Sequence, residues 1–159
     1  MTHVYNTSPL QVGRHYEIDY IHSYGEVGDF FLGLQKKKLM ATRCLNKACG
    51  KTWLPPRRDC GACGAKTEWF EAPLEGKVHT FSILHFAAEA FFDQLPFVLA
   101  YIELEGIDTV FLSRIEGCAP EEVYVGMPVR AKFRRLVEWT PNDVTFAPVE
   151  GGPPTKEEA

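Results

Sequence analysis

A mainly β chain is expected, with helices at its N-terminus, a cysteine ribbon after them and a small five-stranded closed barrel behind the ribbon. Three observations predict this. Four cysteines, Cys44, Cys49, Cys60 and Cys63, fall within twenty residues. Five runs rich in β-branched and aromatic residues follow Gly76. Ahead of the cysteines, apolar residues recur at helical rather than strand spacing. With 159 residues, 45% of them apolar and eleven phenylalanines, the chain has material for a real core in one domain or two small ones.

The elements follow in chain order. Residues 1–15 contain Pro9 and Gly13 and little periodicity, which predicts an extended arm. Tyr16, Tyr20 and Tyr24 recur every fourth residue, the spacing of an aromatic stripe on a helix that packs on the rest of the protein or docks a partner. Gly25 and Gly28 interrupt it, and Asp29 is placed to cap a second helix over Phe30 to Leu39. Lys36, Lys37 and Lys38 then fall in that helix's last turn, where cations suit the dipole. The strands are expected over Val78 to His85, Phe97 to Glu105, Thr109 to Glu116, Val129 to Val137 and Val144 to Val149. The second alternates most cleanly, with Val98, Ala100, Ile102 and Leu104 on one side and Phe97, Leu99 and Tyr101 on the other. Five strands suit a barrel better than a sandwich, which takes seven or more. The division is therefore an arm with helices over 1–40, the ribbon over 41–72, the barrel over 73–149 and a flexible tail over 150–159.

The cysteines come as two pairs. Cys60 and Cys63 are separated by two residues and followed by Gly64; Cys44 and Cys49 are separated by four and followed by Gly50. A glycine after each pair can adopt the positive φ that turns backbone amides toward sulfur in a metal knuckle. Ten residues between the pairs are enough for a short ribbon that brings both onto one ion. A four-thiolate site is closed to water, which points to a structural zinc, with iron as the rival ion. Nothing in the sequence looks secreted, which argues against a disulfide framework. Cys118 stands apart as a buried or incidental thiol.

Charge is unevenly spread. Between Lys36 and Lys66 nine basic residues face one acid, Asp59, giving +8, so the remainder carries −12 of the formal net charge of −4. Part of the excess can offset a zinc tetrathiolate, whose net charge is −2; the rest can meet phosphates, an acidic partner or solvent. A single-stranded nucleic-acid module is the alternative function, with Phe97, Tyr101 and Phe111 available to stack on bases. The acidic pI of about 5.7 and the crowd of Glu103, Glu105, Asp108 and Glu116 argue against it. No run approaches a membrane span, and a cytoplasmic location is expected from the absence of a signal-like N-terminus. Candidates for catalysis are few: His79 and His85 sit six apart on one strand, hence on one face, and no serine elbow or phosphate-binding glycine loop is present.

The ordered landmarks carry a family resemblance. Phe30-Phe31 and the lysine-rich helix lead into Arg43-Cys44; Leu54-Pro55-Pro56-Arg57 lies between the cysteine pairs, and Cys60-Gly-Ala-Cys63-Gly64 closes the ribbon. Gly76-Lys77-Val78 opens the barrel, Pro96-Phe97-Val98-Leu99-Ala100 forms its second strand, and Gly126-Met127-Pro128-Val129 precedes its fourth. Over roughly residues 30–149 the chain resembles the rubredoxin-like zinc ribbon plus OB-fold proteins associated with acyl-CoA metabolism, long labelled a domain of unknown function. The first cysteine pair departs from the family's usual two-residue spacing. The resemblance implies a rubredoxin-like ribbon, an OB-fold barrel and a non-catalytic accessory role. The expected partner is a thiolase-fold enzyme, or another acyl-CoA enzyme, whose CoA thioester this subunit helps to bind or enclose. An aromatic-acid thiolase, as in anaerobic toluene breakdown, is one such partner. The cations for the CoA phosphates would come from Arg57, Arg58, Lys36 and Lys37.

Overall fold

A computed structural model of the chain describes residues 15, 17–135 and 138–149. The expected arm up to residue 14, Tyr16 of the tyrosine stripe, Val137 at the end of the fourth barrel strand and the tail over 150–159 lie outside the described residues. Residues 17–24 make no helix: a 3-10 turn over Gly25–Val27 leads directly into α1, Gly28–Gln35. Every residue from 17 to 24 is exposed, so a helix there would bury no apolar face to offset its nucleation cost. Tyr20 points into solvent, while Tyr24 stacks on Phe31 at 3.8 Å between ring centres.

Helix α1 begins and ends earlier than the periodicity predicts. Val27 holds the cap position without a side-chain bond, and Asp29 lies inside the first turn, where its charge suits the helix dipole. The three lysines are not in the last turn. Lys36 caps the helix, Lys37 takes φ +58°, and the amides of Lys37 and Lys38 bond to the carbonyls of Leu34 and Gly33 at 3.0 and 2.9 Å. That 5→2 and 6→1 pairing is a Schellman stop, with lysine where glycine is the usual choice. It frees Leu39 to enter a strand, where it is fully buried.

Three short strands build the ribbon: β1 (Leu39–Cys44), β2 (Thr52–Trp53) and β3 (Thr67–Ala72), with β1 in the middle. Five more close a barrel: β4 (Glu75–Leu84), β5 (Phe97–Leu104), β6 (Phe111–Ile115), β7 (Pro128–Phe133) and β8 (Val144–Pro148). Their order around the barrel is β4-β5-β6-β8-β7, antiparallel except for the β6–β8 contact through Ile115 and Phe146. This is the five-stranded OB-fold arrangement expected from the sequence. Alternation on β5 falls as predicted, with Val98, Ala100, Ile102 and Leu104 buried.

Gly76 is where β4 serves two neighbours, pairing with Leu104 of β5 and Val129 of β7. A Cβ there would sit 2.2 Å from the Glu103 carbonyl oxygen, so only glycine permits the approach. Strand β7 stops at Phe133. In the connection to β8, the buried Asp143 carboxylate accepts the amides of Glu138 (2.9 Å) and Thr140 (3.1 Å). Between them Trp139 is held at φ +60°, and its carbonyl accepts the Tyr24 hydroxyl.

Ribbon, helix and barrel share one core. Phe30, Phe31 and Leu34 of α1, Leu39 and Ala41 of β1, and Leu54 pack with Phe111, Val129 and Phe146 of the barrel. Phe30, Phe111 and Phe146 follow one another at 6.2 and 6.3 Å. Among the described residues no helix is long and apolar enough to cross a membrane.

Candidate metal centre

The end of β1 delivers Cys44 into the first knuckle. Its amide bonds to the Lys51 carbonyl at 2.8 Å, and the Asn46 carbonyl accepts the amides of both Cys49 and Gly50 at 2.9 Å. The Asn46 side chain accepts the Ala48 amide at 3.1 Å. The two extra residues of this pair are thus taken up in a turn organised by Asn46, and the Cys49 sulfur still reaches the cluster. The second knuckle is tighter: Cys60 and Gly64 donate to Ala65 and Cys60 at 2.7 and 2.8 Å. Gly50 and Gly64 have φ of +60° and +74°, the conformation the sequence assigned them.

The four sulfurs converge. Cys44 and Cys63 are 3.5 Å apart, Cys49 and Cys60 are 3.7 Å apart, and all four lie within 4.8 Å of one another. A tetrahedron with metal–sulfur bonds of about 2.3 Å has edges of about 3.8 Å, so the group is sized for one ion. A disulfide needs about 2.05 Å, and none of the five cysteines is paired. Cys44 and Cys60 are buried, Cys49 is half-buried and Cys63 is exposed. At Cys44, burial pushes the thiol up to about 12 against the pull of the Asn46 amide. At Cys60 burial also opposes charge, yet the amides of Ala62 and Cys63, with the Cys44 and Cys49 thiols, hold it at about 6. A bound cation would supply the charge that ionises the four thiols together. Four cysteines so placed can hold a metal ion such as zinc.

The cationic candidates are spread out. Arg58 pairs with Glu26 and faces a cleft of about 510 Å³, whose walls include Lys66, Asp29 and Trp69. Arg57 turns instead to the Trp53 ring, 5.3 Å from its centre. Lys36 and Lys37 stand exposed on the turn after α1 and do not line that cleft. The two histidines are not a pair. A bulge between Val78 and Thr80 breaks the alternation on β4, and His85 lies past the strand's end. His79 instead meets Glu103 at 2.5 Å, and Lys77 reaches the same carboxylate at 2.9 Å. Both partners, Lys77 ahead of His79, lower the Glu103 pKa. Burial, then Glu122, pushes the Cys118 thiol up, which leaves it a poor nucleophile. Phe111, expected to be available for stacking, is buried in the core.

One functional contact had no signal that spacing could reveal. Asp108, on the β5–β6 turn, accepts both the amide and the hydroxyl of Thr52 at 2.8 Å. Thr109 next to it accepts the Leu54 amide at 2.9 Å and donates to the Leu54 carbonyl at 2.8 Å. This clasp ties the ribbon strand between the knuckles to the barrel. The Thr52 amide, then its hydroxyl, holds the Asp108 carboxyl below its ordinary range.

Comparison with known proteins agrees with this architecture. Residues 69–134 match the family model of the ChsH2 C-terminal OB-fold domain. A DUF35 domain-containing scaffold protein from Methanocaldococcus jannaschii is 44% identical over 102 residues, 63% of this chain and 70% of that one. Another from Methanothermobacter thermautotrophicus is 32% identical over 106 residues, covering 65% and 77%. A probable enoyl-CoA hydratase alpha subunit from Thermomonospora curvata is 32% identical over 103 residues, 63% of this chain but 30% of its own length. Among solved structures, a chain of the Ltp2-ChsH2(DUF35) aldolase superposes with a TM-score of 0.63 at 26% identity, covering 81% of this chain and 98% of that one.

Proposed function

Since the chain belongs to the DUF35 family, we propose that it is a non-catalytic scaffold subunit of an acyl-CoA enzyme, built around a structural zinc. The observation that carries this reading is the likeness to scaffold proteins, joined to a likeness to a hydratase subunit and to a chain of an aldolase. The partner is a thiolase-fold or related acyl-CoA enzyme, and the chemistry runs on the partner's residues. Two features of this chain favour that division of labour: its one cysteine outside the metal cluster is a suppressed nucleophile, and His79 is engaged with Glu103. Zinc is the ion that suits four thiolates and no open position.

In this reading Arg57, Arg58, Lys36 and Lys37 supply cations to the CoA phosphates. Arg58 is the best placed, because it opens onto a cleft with Lys66 and the Trp69 ring. A phosphate entering there would displace Glu26 from the guanidinium. The test is purification of the tagged chain from its native extract, with the co-eluting proteins identified. A stoichiometric acyl-CoA enzyme supports the reading; recovery alone, or with nucleic acid, overturns it. In the reconstituted complex, replacing Arg57 and Arg58 by alanine should raise KM for the CoA ester and leave kcat unchanged. Unaltered kinetics would remove the arginines from the site.

A further inference from the structure

The outer face of β5 and β6 turns several apolar side chains to water, between Arg114 at one end and Glu103, paired with Lys77 and His79, at the other. Burial of Val98, Ala100 and Ile102 turns Phe97, Leu99 and Tyr101 outward, and burial of Phe111, Ser113 and Ile115 does the same for Leu112 and Arg114. Register sets Tyr101 beside Leu112 and Leu99 beside Arg114. The long connection between β4 and β5, residues 85–96, folds back onto this face. The Arg114 guanidinium lies 4.0 Å from the centre of the Phe97 ring and 5.7 Å from that of Phe91, and it donates to Gln94 Oε1 at 2.5 Å. With Phe91 held there, Phe86 and Phe92 in the same connection are left 84% and 53% exposed.

We propose that Phe86 and Phe92 are docking anchors that insert into an apolar pocket of the partner acyl-CoA enzyme, one rimmed by lysine or arginine. This rests on the scaffold reading above. With aromatic side chains of about 200 Å², the two rings at these exposures offer on the order of 250–300 Å² of apolar surface. That approaches the largest patch on a typical monomer, and is about a third of what one side of a stable interface buries. Charge decides between occupants. Residues 85–96 carry Glu89 and Asp93 and no lysine or arginine, and among the described residues neither acid is in an ion pair. A second copy docked through the same face would set these acids against themselves, and a nucleic acid would bring phosphates to them. A foreign pocket with a cationic rim satisfies both the rings and the acids.

The test uses the full chain with a photoreactive benzoylphenylalanine at position 92, irradiated in the native cell, with the crosslinked peptides mapped. The expected product joins position 92 to an apolar pocket of an acyl-CoA enzyme with basic residues at its edge. The double variant Phe86→Ala, Phe92→Ala should then bind that enzyme at least about thirty-fold more weakly, the loss typical of a single interface hot spot. Because both rings are exposed, the variant should keep its thermal midpoint. A crosslink to a second copy or to nucleic acid overturns the proposal. So does an enzyme that co-purifies with the wild-type chain and holds the double variant equally tightly, which leaves the scaffold reading standing. If no acyl-CoA enzyme accompanies the chain at all, the scaffold reading fails first and this one with it.

Discussion

Replacing Asp108 by alanine unclasps the ribbon from the barrel at one defined point. The carboxylate accepts two hydrogen bonds of 2.8 Å, from the Thr52 amide and the Thr52 hydroxyl. The hydroxyl has a second acceptor, the Gly106 carbonyl at 3.0 Å, and so recovers a partner. The amide does not, and Thr52 is buried. One charge-assisted hydrogen bond lost and one buried donor orphaned come to about 2 kcal/mol, with the carboxylate's own exposure already discounted. In a chain of this size that lowers the melting temperature by about 4–8 °C, read by circular dichroism on the metal-loaded protein at pH 7. Asp108→Asn keeps an oxygen acceptor without the charge and should lose about half as much. The pH dependence has a fixed sign. A carboxylate with a lowered pKa gives its full contribution above the unfolded value near 3.9 and loses it as pH falls through the folded one. The gap between wild type and Asp108→Ala should therefore narrow on the acid side, and metal release, common to both proteins, cancels from the difference. A shift under about 1 °C at pH 7, or a gap that widens with acid, would refute the clasp.

Three further outcomes are expected. Native metal-loaded protein should contain one equivalent of zinc and expose at most Cys118 to a thiol reagent, whereas chelator with denaturant should release all five thiols; ready modification of Cys44 or Cys60 with the ion bound would contradict the four-sulfur site. Lys37→Gly should stabilise the chain by about 1 kcal/mol in urea unfolding, because it removes the left-handed penalty at φ +58° while keeping the Schellman bonds. Gly76→Ala should cost more than about 2 kcal/mol, or fail to yield soluble protein, since its Cβ would fall on the unyielding Glu103 carbonyl; a neutral result would mean the β4 register differs from that described.

The metal cluster and the barrel were legible in the sequence because their signals are local. Each knuckle is a turn of a few residues closed by a glycine, the barrel strands are runs of β-branched and aromatic residues, and β5 alternates with a period of two. The convergence of Cys44, Cys49, Cys60 and Cys63 and the buried face of β5 therefore follow from neighbouring residues. Periodicity misled where a competing contact decided the outcome. The tyrosine spacing suits a helix, yet residues 17–24 stay exposed without one and Tyr24 stacks on Phe31. The lysine run suits a helix end, yet Lys37 turns the chain so that Leu39 can be buried in β1. His79 and His85 share a parity that one bulge cancels.

By itself, then, the sequence determined which four cysteines converge, the strand count of the barrel and the placement of positive charge around the ribbon. Only the tertiary structure decided what those charges and polar groups meet: Arg58 with Glu26, Glu103 with Lys77 and His79, and Thr52 with Asp108 across fifty-six residues. The reason is physical. A turn or an alternation is written in neighbouring residues, whereas the partner of a charge depends on which distant segment the closed barrel carries past it.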